Sequence, residues 1–288
     1  MSTSTSSIES SAARRVSRPP TKVFKGHTDV VRSVAYFPDG QHITSGSDDK
    51  TVIIWDVESG RQDGQPLRHD SDVEWIAISP DGRRIAIGVK GGLVVRLWDA
   101  DTGRPSREPL ECDGVVLCVA FSPDGLRIAA GVEDSFQVFD VSTGESVVGP
   151  IKGHTGVVSS VVYSLDGRLL VTVSQDKRIW VWDSKTGVQV RKPMPGHEND
   201  VWCISITADG RRIASAGGFD KTVQVWDLET RLQIGDSFHA DNFVFSVAFS
   251  PDDRYIVSDY GNDVALWDTE SFAIQGPVSI FILLQYSF

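Results

Sequence analysis

Histidine, hydroxyl and carboxylate side chains recur together in three copies along this chain. Counted from nearby Asp-Gly pairs, they occupy equivalent positions: His27, Ser45 and Asp49; His154, Thr172 and Asp176; and His197, Ser215 and Asp220. Nucleophilic hydrolysis uses these groups as a nucleophile, a general base and an acid that orients the base. The threefold repetition opposes a catalytic role, and so does the absence of a GxSxG sequence, which would place a serine on a sharp turn.

The three sets belong to a longer internal repeat. Six aromatic-Asp pairs follow one another at intervals of 43, 41, 43, 44 and 41 residues: Trp55-Asp56, Trp98-Asp99, Phe139-Asp140, Trp182-Asp183, Trp226-Asp227 and Trp267-Asp268. A turn signal keeps the same phase: FPDG at 37–40, SPDG at 79–82 and 122–125, LDG at 165–167, ADG at 208–210 and SPDD at 250–253. A regular period of this length predicts six copies of one structural unit.

Each copy has the sequence features of short β-strands. A small apolar run such as 34–36 ends at an Asp-Gly pair, which tolerates the positive φ angles of a tight hairpin. A second strand follows, and then a third with alternating residues, such as 223–226. A weaker fourth strand lies before the next copy. Gly, Pro or Asp-Gly interrupts every ten or so residues, which is not typical of helices.

The pattern of Gly-His, Pro-Asp-Gly and Trp-Asp at a spacing of about 40–45 residues, from residue 22 to about 275, resembles the WD40 repeat. The resemblance implies an all-β β-propeller with about six four-stranded blades, or an incomplete seven-bladed ring. It divides the chain into a disordered Ser/Arg-rich tail (1–20), a propeller of six repeats (21–277) and an apolar C-terminal tail (278–288). The repeats are so alike that they also resemble the WD40 arrays of fungal NACHT–WD40 proteins. No Walker A sequence, the mark of a nucleotide-binding domain, is present.

In WD40 proteins the recurring polar residues form a hydrogen-bonded chain from an indole through a hydroxyl and an imidazole to a carboxylate. The resemblance adds Trp55, Trp182 and Trp226 to the three sets and gives them a structural role. The other repeats depart from the pattern at these positions: His69 and Ile87; Cys112, Ala130 and Phe139; and Ser258 with His239 out of register. We therefore expect blades two, three and six to be held by apolar packing alone and to be softer.

The resemblance also implies that partners dock where loops enter the inner strands and where turns precede the third strands. Carried over to this chain, the candidate positions are Arg32, Glu74, Asp48, Trp202, Phe219, Phe243 and Phe245. The four aromatic residues fall on adjacent copies five and six, as expected for an interaction hot spot. The alternative is that they pack against a neighbouring blade or fill the central channel. Glu74, Asp48 and Glu133 favour a basic peptide or protein partner.

Composition narrows the classes of function. The chain has 28 Lys and Arg against 39 Asp and Glu, a net charge of −11 and a pI near 5.0. This charge disfavours nucleic acid and anionic membranes as partners. Three cysteines without a CxxC pair indicate no metal or cofactor. Free thiols and the lack of a secretory signal favour an intracellular, cytoplasmic protein, with the nucleus as an alternative.

These observations favour a non-catalytic protein–protein interaction scaffold or adaptor. A sensor fragment of a NACHT–WD40 signalling protein and a propeller enzyme are the alternatives. The outer edge of blade six has two candidate strands, the segment Lys22–Phe24 and the apolar segment 278–288, and an edge that neither covers is an association hazard.

Overall fold

The fold is given by a computed structural model that describes residues 23–190, 192–240, 242–250, 252–260 and 263–271. Within these ranges the chain forms 23 strands in six antiparallel sheets. The predicted all-β architecture of six blades is therefore confirmed. No helix occurs in the described ranges, and so none there could cross a membrane. Segments 1–20 and 278–288, and Lys22, lie outside the described residues, so the predicted tails and the competition for the edge of blade six stay predictions.

Each blade is built from strands that are consecutive in the chain. Blade one contains β1 (Val31–Tyr36), β2 (His42–Ser47), β3 (Thr51–Asp56) and β4 (Gln62–Arg68). Blade two contains β5 (Val73–Ile78), β6 (Arg84–Val89), β7 (Val94–Asp99), β8 (Arg104–Pro105) and β9 (Leu110–Glu111). Blade three contains β10 (Val116–Phe121), β11 (Arg127–Val132), β12 (Ser135–Asp140) and β13 (Ser146–Lys152).

The remaining strands form three further blades. Blade four contains β14 (Val158–Tyr163), β15 (Leu169–Ser174) and β16 (Ile179–Asp183). Blade five contains β17 (Val201–Ile206), β18 (Arg212–Gly217), β19 (Thr222–Asp227) and β20 (Phe238–His239). Blade six contains β21 (Val247–Phe249), β22 (Tyr255–Tyr260) and β23 (Asp263–Asp268).

Among the described residues, blades one, three and five have four continuous strands, and the other blades differ in the outer strand. In blade two the outer strand is split, since β8 and β9 both pair with β7 and Pro105 and Pro109 flank the gap. In blade four the described residues of the outer segment form two isolated bridges, from Ile179 to Met194 and from Trp182 to Gln189. Prolines cannot donate to a ladder, which explains both interruptions, because Pro193 and Pro195 flank Met194. Blade six has three strands among the described residues.

The recurring turn residues have local structural roles. In the hairpin between β5 and β6, Asp81 Oδ1 accepts hydrogen bonds from the Ser79 hydroxyl at 2.5 Å and from the Arg83 N–H at 3.0 Å. Gly82 has a φ of 71°, which glycine adopts without strain. The Asp of each aromatic-Asp pair caps the next turn, as Asp99 does by accepting from the Thr102 N–H at 2.8 Å. These contacts explain why both signals recur with the strand pattern.

Apolar clusters join consecutive blades. The inner strands pack in chain order, from β1 against β5 to β17 against β21. Between blades one and two, the Val73 side chain joins Val52 in one buried cluster. A Cβ built on Gly46 would lie only 2.5 Å from Val73 Cγ1, so glycine allows the close approach of the two sheets. The core is therefore a series of sheet-to-sheet contacts around the array.

Candidate functional site: an aromatic cluster on blades five and six

The predicted hydrogen-bonded chain is present in blade one. The Trp55 indole N–H donates to Ser45 Oγ at 2.7 Å, and the Ser45 hydroxyl lies 2.7 Å from His27 Nε2. His27 Nδ1 lies 2.8 Å from Asp49 Oδ2, which also accepts from the Thr28 N–H at 2.9 Å. The Ser45 hydroxyl thus accepts from the indole and donates to the imidazole, which leaves Nδ1 to carry the proton that Asp49 accepts.

Blades four and five repeat this arrangement. In blade four, Thr172 Oγ1 lies 2.9 Å from Trp182 Nε1 and 2.8 Å from His154 Nε2, and His154 Nδ1 lies 2.9 Å from Asp176. In blade five, the corresponding distances from Ser215 Oγ are 2.9 Å to Trp226 Nε1 and 2.7 Å to His197 Nε2, and His197 Nδ1 lies 3.0 Å from Asp220. All three hydroxyl residues are buried. Each hydroxyl is therefore buried and uses its hydrogen-bonding capacity within its own blade.

The carboxylates of these chains are held ionised. Burial by itself raises the pKa of Asp49, but hydrogen bonds from Thr51, the Thr28 N–H and His27 outweigh burial and lower the pKa to about 2. The pKa values of Asp176 and Asp220 are lowered in the same way, against the effect of burial, by hydrogen bonds from His154 and His197. Each carboxylate therefore accepts hydrogen bonds as an anion at neutral pH.

The prediction that apolar packing alone holds blades three and six is wrong. In blade three, Gln137 Oε1 accepts from the Asp113 N–H at 2.9 Å, and Gln137 Nε2 donates to the Asp113 carboxylate at 3.0 Å. This buried amide links the third strand to the loop before β10, as the histidine does in other blades. In blade six, the Trp267 indole N–H donates to Ser258 Oγ at 2.9 Å. Alignment of the repeats did not single out Gln137, because this residue lies outside the indole, hydroxyl, imidazole and carboxylate positions.

Blade two has no such substitute. His69 is buried, and neither ring nitrogen has a hydrogen-bond partner among the described residues. Burial, together with the nearby Arg96 guanidinium, lowers the pKa of His69 to about 4. The imidazole packs edge-on against Trp98, with 5.4 Å between ring centroids. His69 is therefore a neutral packing residue.

The four aromatic residues singled out from the sequence lie in one cluster. The rings of Phe219 and Phe243 are 5.1 Å apart, those of Phe243 and Phe245 6.0 Å, and those of Trp202 and Phe245 5.5 Å. These centroid distances lie within the range of favourable aromatic pairs. We call Trp202, Phe219, Phe243 and Phe245 the aromatic cluster.

Three different elements position the aromatic cluster. Trp202 is the second residue of β17, Phe219 lies in the turn between β18 and β19, and Phe243 and Phe245 belong to the segment before β21. The Asp259 carboxylate of β22 fixes this last segment, because it accepts from the Phe245 N–H at 2.8 and 3.0 Å and from the Ser246 N–H at 2.7 Å. Burial raises the pKa of Asp259 despite these hydrogen bonds.

The members of the cluster differ in exposure. The exposed fractions of Phe219, Phe243 and Phe245 are 50%, 38% and 49%. Trp202 is half-buried and lies over Gly218, where an added Cβ would come 2.5 Å from the indole Cδ1 atom. Lys221 Nζ lies 5.9 Å from the centroid of the Phe243 ring. Trp202 is therefore partly used in packing within the protein. The three phenylalanine rings, in contrast, keep large exposed surfaces.

The charged candidates form a separate group on blades one and two. Arg32 donates to both carboxylate oxygens of Asp48, from Nε at 2.9 and 3.0 Å and from a terminal nitrogen at 2.5 Å. These hydrogen bonds lower the pKa of Asp48. Burial raises the pKa of Glu74. Asp48 is therefore already neutralised by Arg32, so the expected attraction of Asp48 for a basic partner is weakened, whereas Glu133 is exposed.

The thiols and the acidic residues offer no further site in the described ranges. No disulfide joins the three cysteines; Cys118 and Cys203 are buried and Cys112 is half-buried. Burial raises the pKa of Cys112 and that of Cys118 to about 12. No group of three or more His, Cys, Asp or Glu side chains among the described residues is arranged to hold a metal ion.

Six consecutive antiparallel sheets with recurring indole–hydroxyl–imidazole–carboxylate chains define a repeat propeller. The family model described as "WD domain, G-beta repeat" matches residues 18–56, 107–140, 145–183, 187–227 and 234–268, well over half of the sequence. The chain belongs to the WD40-repeat family. The longest unmatched stretch between matched segments, 57–106, contains most of blade two, in which the ring nitrogens of His69 have no partner among the described residues.

Curated relatives resemble only part of the chain. The Ribosome biogenesis protein BOP1 homologs of Drosophila erecta and Drosophila melanogaster are 43% identical over 70 residues, which is 24% of this chain and 9% of theirs. That of Drosophila persimilis is 41% identical over the same length. The chain therefore matches about a tenth of the length of these relatives. A match of 70 residues is shorter than two repeats.

Proposed function

We propose that this protein is a non-catalytic interaction module whose aromatic cluster anchors a peptide segment of a partner protein. The observation that carries the proposal is the continuity of three half-exposed phenylalanine rings, held by elements of two blades. Exposed aromatic groups on a rigid frame lose little conformational freedom on binding, and they dominate many interfaces. An apolar or aromatic side chain of the partner is expected to cover Phe243 and Phe245.

The charge of the chain suggests the character of the flanking sequence. The net charge of −11 and the exposed Glu133 favour basic residues on either side of the apolar anchor. The pairing of Asp48 with Arg32 means that blade one adds little to this preference. The expectation that nucleic acid is not a partner rests on the same charge and stays a prediction, as does a cytoplasmic or nuclear location.

Two other functions have less support. Enzyme activity through the Ser/Thr-His-Asp sets would need a hydroxyl that reaches a substrate, and these hydroxyls are buried. The name of the Drosophila relatives refers to ribosome biogenesis, but the match covers fewer than two repeats and supports a shared repeat rather than a shared role. Nothing in the fold bears on the likeness to NACHT–WD40 arrays, which stays a prediction.

Affinity capture with matched variants tests the proposal. Wild-type protein, Phe243→Ala, Phe245→Ala and the control Leu232→Ala, whose side chain is 68% exposed outside the cluster, are used as baits in the native cell extract. We expect proteins retained by the wild type and by the control to be lost by the two cluster variants, with unchanged melting temperatures. Equal retention by all four baits would overturn the proposal, and so would unfolding of the cluster variants.

A further inference from the structure

The hairpins that follow the inner strands contact one another in chain order through a proline and a glycine. A Cβ built on Gly82 of blade two would lie 3.4 Å from Pro38 Cδ of blade one. The next two pairs of blades repeat this contact at 3.5 and 3.7 Å: Pro80 with Gly125, and Pro123 with Gly167. In three consecutive interfaces, therefore, a proline ring from one hairpin covers the glycine of the following hairpin.

This contact is missing between blades four and five. Leu165 stands where the earlier hairpins have proline, and its side chain is 46% exposed. A Cβ built on Gly210 of blade five would have Ser164 Cβ as its nearest neighbour, at 3.9 Å. The two hairpins instead border an open cleft of about 360 Å³, which we call the hairpin cleft. The cleft thus lies at the position that a proline ring occupies in the earlier interfaces.

The walls of the hairpin cleft are apolar and held in place. Leu165 and Leu169 lie on the blade-four side, and Ala208 lies on the blade-five side. The Leu169 N–H donates to Ser164 Oγ at 2.9 Å, and the Ala208 N–H donates to Asp253 Oδ1 of blade six at 3.1 Å. Walls that are ordered before binding reduce the entropy cost of binding an apolar ring.

Two carboxylates border the same cleft, those of Asp166 and Asp209. Asp166 Oδ1 accepts from the Ser164 hydroxyl and Asp209 Oδ1 from the Thr207 hydroxyl, each at 2.6 Å. Hydrogen bonds lower the pKa of both carboxyl groups, in Asp209 against the opposite effect of burial. Both side chains are therefore anions at neutral pH, and Oδ2 of each lies outside these hydrogen bonds.

The arginines near these carboxylates are exposed or engaged elsewhere. Arg168 Nε lies 3.9 Å from Asp166 Oδ2, but 83% of the Arg168 side chain is exposed, and such ion pairs contribute little. Arg211 is exposed as well, and Arg212 donates to the Asp253 carbonyl oxygen at 3.4 Å. A cation on a ligand can therefore compete for both carboxylates.

We propose that the hairpin cleft binds a proline-containing segment of a partner protein in which a lysine or arginine adjoins the proline. The three internal contacts identify the proline as the group that fits over a hairpin glycine. The Asp166 and Asp209 carboxylates favour the neighbouring positive charge. Proline-rich segments are already extended before they bind, which favours their recognition in shallow clefts.

The hairpin cleft and the aromatic cluster are separate surfaces. Trp202 lies at the start of β17 and Ala208 just beyond its end. A strand of this length spans about 20 Å. A partner could therefore occupy either surface without covering the other.

A labelled peptide tests the requirement for proline. The probe is a fluorescein-labelled oligoalanine peptide with one central proline followed by arginine, and fluorescence anisotropy measures its binding to the full chain. We expect the same peptide with alanine in place of proline to bind about tenfold more weakly, because it lacks most of the buried ring. Equal affinities for the two peptides, or no binding of the proline peptide at millimolar concentration, would overturn the proposal.

Leu165→Pro tests the position of the site. This change restores the Ser-Pro-Asp-Gly sequence that blades two and three carry, and it should place a proline ring of the chain itself over Gly210. We expect peptide affinity to fall at least about tenfold while the melting temperature stays equal or rises. Leu126→Ala, at a 62% exposed position on the blade-three hairpin, is the control and should bind as the wild type does. Undiminished binding by a folded Leu165→Pro protein would overturn the proposal.

A matched pair of conservative changes tests the charge. A peptide with glutamine in place of arginine should bind the wild type about threefold more weakly at low salt. Asp209→Asn keeps the Oδ1 acceptor and should bind the two peptides equally. Asp124→Asn changes the same position of the blade-three hairpin, beside the covered Gly167, and should keep the preference for arginine. Loss of that preference in Asp124→Asn but not in Asp209→Asn would contradict the assignment of the charged group.

Resonance shifts and concentration dependence complete the test. The amide resonance of Gly210 should shift on addition of the peptide, whereas that of Gly82, which Pro38 already covers, should not. The chain itself contains Arg18-Pro19-Pro20. An apparent affinity that weakens as the protein concentration rises would identify this segment of a second copy as the occupant and overturn the assignment to a partner. These results leave the proposed function of the aromatic cluster untouched, since affinity capture with the cluster variants tests it separately.

Discussion

The Asp259 carboxylate accepts hydrogen bonds from the backbone N–H of Phe245 at 2.8 and 3.0 Å. At the start of the inner strand, a side chain of β22 thus replaces some of the backbone hydrogen bonds between strands. This replacement explains why β21 begins only at Val247. The bond fixes the backbone of an exposed aromatic residue from the second strand of blade six. One carboxylate of β22 consequently positions part of the aromatic cluster.

Removal of this carboxylate should loosen Phe245 without unfolding the blade. In Asp259→Ala the N–H groups of Phe245 and Ser246 lose their acceptor, so we expect their amides to exchange with solvent faster and the affinity for a cluster-bound peptide to fall. Asp259→Asn keeps an acceptor oxygen and should retain most of the protection. Hydrogen exchange followed by mass spectrometry compares the two variants. Unchanged exchange in Asp259→Ala would show that the loop is held by other contacts.

The hydroxyl groups of Ser215 in blade five and Ser258 in blade six should contribute differently to the free energy of unfolding. Ser215 is bonded to both Trp226 and His197, whereas Ser258 accepts from Trp267 alone among the residues that the structure describes. Ser215→Ala orphans two buried groups, and we expect it to lower the free energy of unfolding by about 1–3 kcal/mol, with a smaller loss for Ser258→Ala. Urea denaturation measures both. Equal losses would mean that the imidazole contact adds nothing.

Gln137 and Gln224 occupy equivalent positions in the third strands of blades three and five, yet only Gln137 replaces a missing histidine. Gln137 bonds to Asp113 twice, whereas Gln224 Oε1 has no partner among the described residues. We expect Gln137→Ala to cost about 1–3 kcal/mol in the free energy of unfolding and Gln224→Ala clearly less. Thermal denaturation of the pair measures the difference. The reverse order would contradict the structural role given to Gln137.

Repeats, turns and strand order could be predicted because local chemistry repeats with them. The Asp-Gly turns and the Trp-Asp caps act through neighbours two or three residues away, as Asp81 and Asp99 do. The clustering of Phe219 with Phe243 was also foreseeable, since the repeat aligns loop positions on one surface. The bond between Gln137 and Asp113 was not, because its residue types depart from the pattern and only their distance reveals the substitution.

The solvent exposure of side chains at the interfaces between blades could not be predicted from the sequence either. Val31 and Val73 occupy the same position in their repeats, yet Val31 is 45% exposed whereas Val73 is 0% exposed and packs against blade one. The pairing of Arg32 with Asp48 depends on rotamers that join β1 to the turn after β2, so the sequence did not reveal that Asp48 is already paired. An alignment of the repeats therefore cannot show properties that depend on contacts between neighbouring repeats.

Acid should weaken blade one through Asp49. Its pKa of about 2 in the folded chain lies below the ordinary value of 3.8, so its contribution to stability is complete above pH about 4 and is lost as the pH falls toward 2. We expect Asp49→Asn to lower stability at pH 6 and to remove part of the decline below pH 4. Asp101→Asn, at an exposed turn, is the control. Parallel pH profiles of wild type and Asp49→Asn would contradict this assignment.

His69 and His197 should respond oppositely to the same change, since the His69 ring has no hydrogen-bond partner among the described residues and the His197 ring has three. His69→Leu removes two buried nitrogens without partners, so we expect unchanged or higher stability at pH 7. His197→Leu orphans Ser215 and Asp220 and should cost about 1–3 kcal/mol or more.

The pKa of His69, about 4 against an ordinary 6.5, adds a pH dependence to this comparison. The unfolded chain binds this proton first, so wild-type stability falls as the pH drops from 6.5 toward 4, and His69→Leu should lack that part of the fall. Urea denaturation at pH 7 and pH 5 measures both effects, and a loss in His69→Leu equal to that in His197→Leu would mean that His69 has polar partners in solution.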